Sequence, residues 1–200
     1  MADMNKRRRK IVWQQYIGMA FMMLIGAICG FIMVWYIDKS SADTPLYQEI
    51  LSLVGLFLGM YVALFFHMIV HEAGHLVFGL MTGYKFCSFR VASFMWLKEN
   101  GKLKFKRLTL AGTGGQCLMA PPPLKDGKMP IVLYNFGGAI LNAITALVCF
   151  ILFFIYPNPL FVAPAVLSLF YALQNGVPIH TEMIDNDGYN ALSLGKNPEA

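Results

Sequence analysis

The chain has 200 residues, of which 57% are hydrophobic and 14% charged, with a formal net charge of +5. A soluble domain carries about 25% charged and about 45–50% apolar residues, so this composition excludes an ordinary soluble fold and points to an integral membrane protein. The positive charge does not indicate nucleic acid, because the basic residues lie in loops beside apolar runs, where topology accounts for them.

Lys6-Arg7-Arg8-Arg9-Lys10 precedes an apolar stretch over residues 16–37. The apolar core of a signal peptide is only about 7–15 residues long. This longer run predicts a retained membrane helix with its N-terminus in the cytoplasm. Residues 38–45 are polar and form a short external loop, so residues 1–45 read as an anchor and its connection, and residues 46–200 as the core. The next apolar span, residues 46–82, is too long for one straight crossing. Part of it is therefore expected to be tilted, kinked or interfacial.

Within that span, Phe66-His67-Met68-Ile69-Val70-His71-Glu72-Ala73-Gly74-His75 places ionisable residues in a run that otherwise reads as bilayer. Ionisable groups at membrane depth cost about 2.5–3.5 kcal/mol each on insertion scales, which marks them as functional. His71 and His75, spaced i and i+4, share one helix face roughly 6 Å apart, close enough for two neutral imidazoles to hold one zinc ion. Glu72 projects beside that face, placed to take a proton from a water. His67 lies one turn earlier on the same face and reads as a histidine bonded to a neighbouring helix.

Gly83 and Tyr84 end the span, and residues 84–129 then change character. They carry Lys85, Arg90, Lys98, Lys102, Lys104, Lys106, Arg107, Lys125 and Lys128 against only Glu99 and Asp126. Such an excess places the segment on the cytoplasmic side. Asn100-Gly101 is a two-residue hairpin signal, and Leu103 and Phe105 alternate with lysines as in a half-buried strand. The plain reading is a solvated hairpin hugging the membrane; the sharper one is a strand edge that pairs with an extended substrate segment. Gly112-Thr113-Gly114-Gly115-Gln116 lacks the Gly-Lys-Ser/Thr ending of a phosphate loop and reads as a turn or re-entrant loop. Cys29, Cys87, Cys117 and Cys149 form no Cys-x-x-C pair and read as buried or reduced thiols.

A third span covers residues 131–156, and near its start stands Asn135-Phe136-Gly137-Gly138-Ala139-Ile140-Leu141-Asn142. The glycines permit close helix contact in a bilayer. Asn142 either bonds a neighbouring helix or uses its amide on a substrate carbonyl or developing oxyanion. A fourth span, residues 160–173, is short and contains Pro164, which predicts a kink or irregular segment. Four crossings return the tail to the cytoplasmic side. A catalytic zinc takes three protein ligands, and the tail offers Glu182, Asp185 and Asp187. Asp187 is favoured because Gly188 permits a sharp turn beside a metal. The expected fold is thus an all-α polytopic membrane protein of about four membrane helices, with a small cytoplasmic β-hairpin between the second and third.

His71-Glu72-Ala73-Gly74-His75, the downstream Gly138-Ala139-Ile140-Leu141-Asn142, Asn175-Gly176-Val177-Pro178 and Asp187-Gly188 together resemble the site-2 protease family, over about residues 57–190. These are intramembrane zinc metalloproteases. The resemblance implies zinc ligands at His71, His75 and Asp187, a general base at Glu72, and at Asn142 the polar residue that steadies substrate. Ala139 stands where many members have proline, and the interval from Pro178 to Asp187 is longer than in compact members. No stretch looks like a PDZ or CBS domain.

These readings lead to a zinc-dependent endopeptidase acting on a membrane-embedded or membrane-proximal peptide segment, set in the lipid bilayer of a bacterial cell membrane, with the site opening to the cytoplasm. The rival is a zinc-binding membrane protein without hydrolysis, such as a transporter or a degenerate scaffold. A transporter is expected to spread polar residues across several spans at mid-membrane depth; here they concentrate on one side. Residues 197–200, Asn-Pro-Glu-Ala, have the order of a helix start, which predicts a natural chain that continues.

Overall fold

The computed structural model describes residues 45–109, 114–124, 129–157, 161–180 and 185–194. The span expected over residues 16–37, its basic prefix and the helix start at 197–200 lie outside these. The described residues fall into two units, one of residues 45–63 with His180, the other of residues 64–179 with 185–194.

In the first unit, residues 46–63 begin helix α1, Leu46–Met81. This part is apolar on all sides, with Ile50, Leu51, Val54, Phe57, Leu58 and Tyr61 exposed, as a lipid-facing helix should be. The helix is a single uninterrupted element of 36 residues, where about 20 suffice to cross a bilayer.

The second unit contains the rest of α1 and every other element. Gly83 ends α1 in the left-handed region at φ +87°, and the Tyr84 and Gly83 amides donate to the Gly79 and Leu80 carbonyls at 2.9 and 3.1 Å. That is the glycine-terminated helix end in which two orphan carbonyls are satisfied. Four strands follow: β1 Lys85–Val91, β2 Phe94–Glu99, β3 Lys102–Arg107 and β4 Gly115–Ala120. They form one antiparallel sheet in the order β3-β2-β1-β4. Helices α2, Ile131–Ile155, α3, Val162–Gly176, and α4, Asp187–Leu194, complete the unit.

The expectation of an all-α protein with a hairpin is therefore corrected: the insertion is a four-stranded sheet. Only its β2–β3 part was signalled, by Asn100-Gly101, whose φ values of +52° and +77° make the tight turn. Two further expectations change. Every residue of β3 is exposed, Leu103 and Phe105 included, because β3 is an edge strand that no other described element covers. Gly115 and Gln116 belong to β4, not to a turn.

The β2–β3 register puts Trp96 opposite Phe105, Phe94 opposite Arg107 and Lys98 opposite Leu103. One face of the hairpin is thus largely aromatic and exposed, while Lys102, Lys104 and Lys106 occupy the other. At the opposite edge, β1 and β4 join the helices through Tyr84, Cys117 and Met119, against which Leu76, Phe89 and Tyr134 are packed. The Tyr84 and Tyr134 rings stack with centroids 4.6 Å apart, and the Tyr134 hydroxyl donates to the Cys117 carbonyl at 2.7 Å. This cluster fixes β4 beside α1 and α2.

Pro164 stands in the first turn of α3, where a missing amide hydrogen costs nothing, so it starts the helix and does not kink it. Among the described residues, α1 and α2 are long and apolar enough to cross a membrane. On α2, Ile144, Leu147, Val148, Ile151 and Phe154 are exposed, as lipid contact requires.

Candidate metal centre

Gly74 on α1 meets Gly137 on α2 so closely that a Cβ at Gly74 would collide with the Gly137 carbonyl. Only glycines allow such contact, the small-residue packing that brings helices together in a bilayer. It carries α2 directly across the face that bears His71 and His75.

The Nε2 atoms of His71 and His75 are 3.2 Å apart. Oδ2 of Asp187, the first residue of α4, lies 2.9 Å from the first and 3.2 Å from the second. A tetrahedral zinc with bonds of about 2.0–2.1 Å separates its ligand atoms by about 3.3 Å, and this triangle comes close to that. Asp187 Oδ2 is also buried without a well-formed hydrogen bond among the described residues. Two imidazole nitrogens and one carboxylate oxygen at these separations make a donor set that fits a zinc ion. Burial favours the neutral Asp187 acid, but the two imidazoles outweigh it and hold the carboxyl down at about 2, which keeps it an anionic donor.

The outer nitrogens are held as well. His75 Nδ1 donates to the Tyr134 carbonyl at 2.9 Å, which leaves Nε2 free for a metal. The Asn142 amide lies 3.3 Å from His71 Nδ1. Asn142 is wholly buried, and its Oδ1 has no partner among the described residues. Turning the amide gives that orphan oxygen to the Nδ1 proton that a metal-facing His71 must carry.

Glu72 is buried beside the triangle. Strand β4 covers it: a Cβ on Gly115 would press on its carboxylate, and the Cys117 backbone amide faces it. Cys117 does not belong to the metal-holding group, and burial and the neighbouring Glu72 push its thiol up to about 12. Cys87, Cys117 and Cys149 are free thiols; Cys29 lies outside the described residues.

The sequence-derived ligands His71, His75 and Asp187 thus meet, with Glu72 and Asn142 beside them. Among the described residues they are the group of side chains able to hold a metal. Asp185 is not in that group, and Glu182 lies outside the described residues. His67 is also apart, its Nε2 hydrogen-bonded to the Pro164 carbonyl at 3.0 Å, the neighbouring-helix role expected of it. Asn135 donates within its own helix to the Ile131 carbonyl. Sequence reasoning missed Gly115 and Tyr134, because neither contact leaves a local pattern.

Neither a curated protein nor a solved structure gives a match to the chain. The sequence profile of Peptidase family M50 matches residues 59–194, well over half of the chain and all of the residues just described. The chain therefore belongs to Peptidase family M50, the site-2 protease family of membrane-associated metalloproteases.

Proposed function

We propose that the protein is a zinc-dependent endopeptidase that cuts a membrane-embedded or membrane-proximal peptide segment. The observation that carries this reading is the convergence of His71 Nε2, His75 Nε2 and Asp187 Oδ2 with the Glu72 carboxylate next to it. A zinc ion held by these three residues would supply Lewis acidity, polarising a carbonyl and making water acidic enough to lose a proton near neutral pH.

The remaining roles belong to the chain. Glu72 accepts the proton of the attacking water and returns it to the leaving amine. Tyr134, through its carbonyl, and Asn142, through its amide, orient the two imidazoles. On this reading Asn142 is a positioning residue: it is completely buried against His71, which favours that role over contact with a substrate carbonyl. Strand β4 screens Glu72 from bulk water, which strengthens its interactions there.

The partners in this proposal are a membrane peptide and the lipid bilayer. The exposed apolar side chains of α1 and α2 and the aromatic face of the β2–β3 hairpin support bilayer contact. The excess of Lys and Arg in the sheet region supports a cytoplasmic opening, and the proposed setting is a multi-pass arrangement in a bacterial cell membrane. Metal exchange tests the reading. Chelation should stop cleavage of membrane peptides by the purified protein, and added zinc should restore it. Cleavage that survives complete chelation would contradict it.

A further inference from the structure

The long interval between Pro178 and Asp187 raises the question of what brings Asp187 to the histidines. The residue just before it answers. Asn186 Oδ1 accepts from the Ile179 amide at 2.9 Å and from the Tyr189 amide at 3.0 Å. Its Nδ2 donates to the Gln174 carbonyl at 2.8 Å and to the Val177 carbonyl at 2.5 Å. An asparagine amide has two acceptor sites and two donors, and all four are used.

The bonds run in two directions. The one from Tyr189 caps the first turn of α4. The two to Gln174 and Val177 grip the C-terminal end of α3. The Asn186 amide also donates to the Ile179 carbonyl at 3.3 Å, so Ile179 and Asn186 close the neck of the intervening segment. At the same junction a Cβ on Gly188 would collide with the Gly176 carbonyl, which shows how tightly the start of α4 is seated.

We propose that Asn186 is a further positioning residue of the metal centre, a strap that delivers the Asp187 carboxylate to His71 and His75 by tying α4 to α3. The proposal rests on the metal-site reading given above and adds to it the residue that fixes its third ligand. Outer residues that orient a metal ligand are worth roughly 10–100-fold in metal affinity, although Asn186 touches neither metal nor substrate.

The test compares zinc affinity, by competition with a chromophoric chelator, for the purified full chain and its variants Asn186→Ala, Asn186→Asp and Asn190→Ala. Aspartate caps a helix as well as asparagine does, but it cannot donate to two carbonyls. Both Asn186 variants should therefore bind zinc about tenfold or more weakly, and the visible spectrum of their cobalt-loaded forms should change. Asn190→Ala, which removes only a local bond to the Asp185 carbonyl, should stay within about twofold of the unmodified protein. Zinc affinity retained by Asn186→Asp would reduce Asn186 to an ordinary helix cap and overturn the proposal. So would an equal loss in Asn190→Ala, which would show general weakening of α4. Asp187→Asn, run alongside, separates the two levels: zinc retained there refutes the metal-site reading, and this proposal with it.

Discussion

The imidazole of His71 rests against the backbone of Gly138, with no room between them for a methyl group. The second glycine of the Gly137-Gly138 pair thus seats one imidazole of the proposed metal centre, while the first allows the helices to approach. Gly138→Ala should displace the ring and strain the helix pair by about 1–3 kcal/mol. The expected result is a folded protein whose zinc affinity, measured by chelator competition, falls about tenfold or more.

Asp187 and Asp185 make a second comparison. Asp187→Asn removes the anionic donor and should lose most of the bound zinc, from about one ion per chain. Asp185→Asn should keep it. Metal analysis of the purified variants decides between them, and the opposite pattern would mean that the third ligand has been assigned to the wrong carboxylate.

Gly115→Val places a branched side chain where the Glu72 carboxylate lies. The three ligands are untouched, so zinc content should hold. Turnover should drop by about tenfold or more, since small misplacements of a catalytic group are costly. Undiminished turnover by the zinc-loaded variant would exclude β4 as the element that sets the position of Glu72.

His67 bonds the Pro164 carbonyl on α3 and is almost wholly buried. His67→Ala removes this bond between α1 and α3, worth about 0.5–1.5 kcal/mol. The variant should melt at a lower temperature and turn over more slowly, with zinc content unchanged. A variant without zinc would make His67 part of the metal centre.

The chemistry of this chain is far more legible in its sequence than its sheet is. His71, Glu72 and His75 are fixed by helical spacing, and the polar-in-apolar setting singles them out. Asn100-Gly101 and Gly83 announce their turns because both need positive φ. The other strands leave no such trace. Phe94-Met95-Trp96-Leu97 in β2 is apolar on both faces, so period-two alternation vanishes. In β1 a register shift between Phe86 and Ser88 breaks the period, and the buried Arg90 reads as a surface charge. Arg90 instead donates to the carbonyls of Ala92 and Gly115, bonds that exist only once the sheet has formed. Asn186 escaped the sequence reading, because its grip on α3 depends on tertiary contact. The aspartate that completes the metal triangle could be chosen from Gly188 and from family resemblance; its delivery to the histidines could not.

In the proposed zinc peptidase Glu72 is the base. Glu72→Gln keeps the size of the side chain and removes its ability to accept a proton. The direct measurement is the membrane peptidome of cells carrying either form, with zinc content determined on the same purified proteins. Both forms should carry equal zinc, and a set of cleaved membrane peptides should be present with Glu72 and absent with Gln. The same peptides produced at undiminished levels by the zinc-loaded Glu72→Gln protein would contradict that role for Glu72.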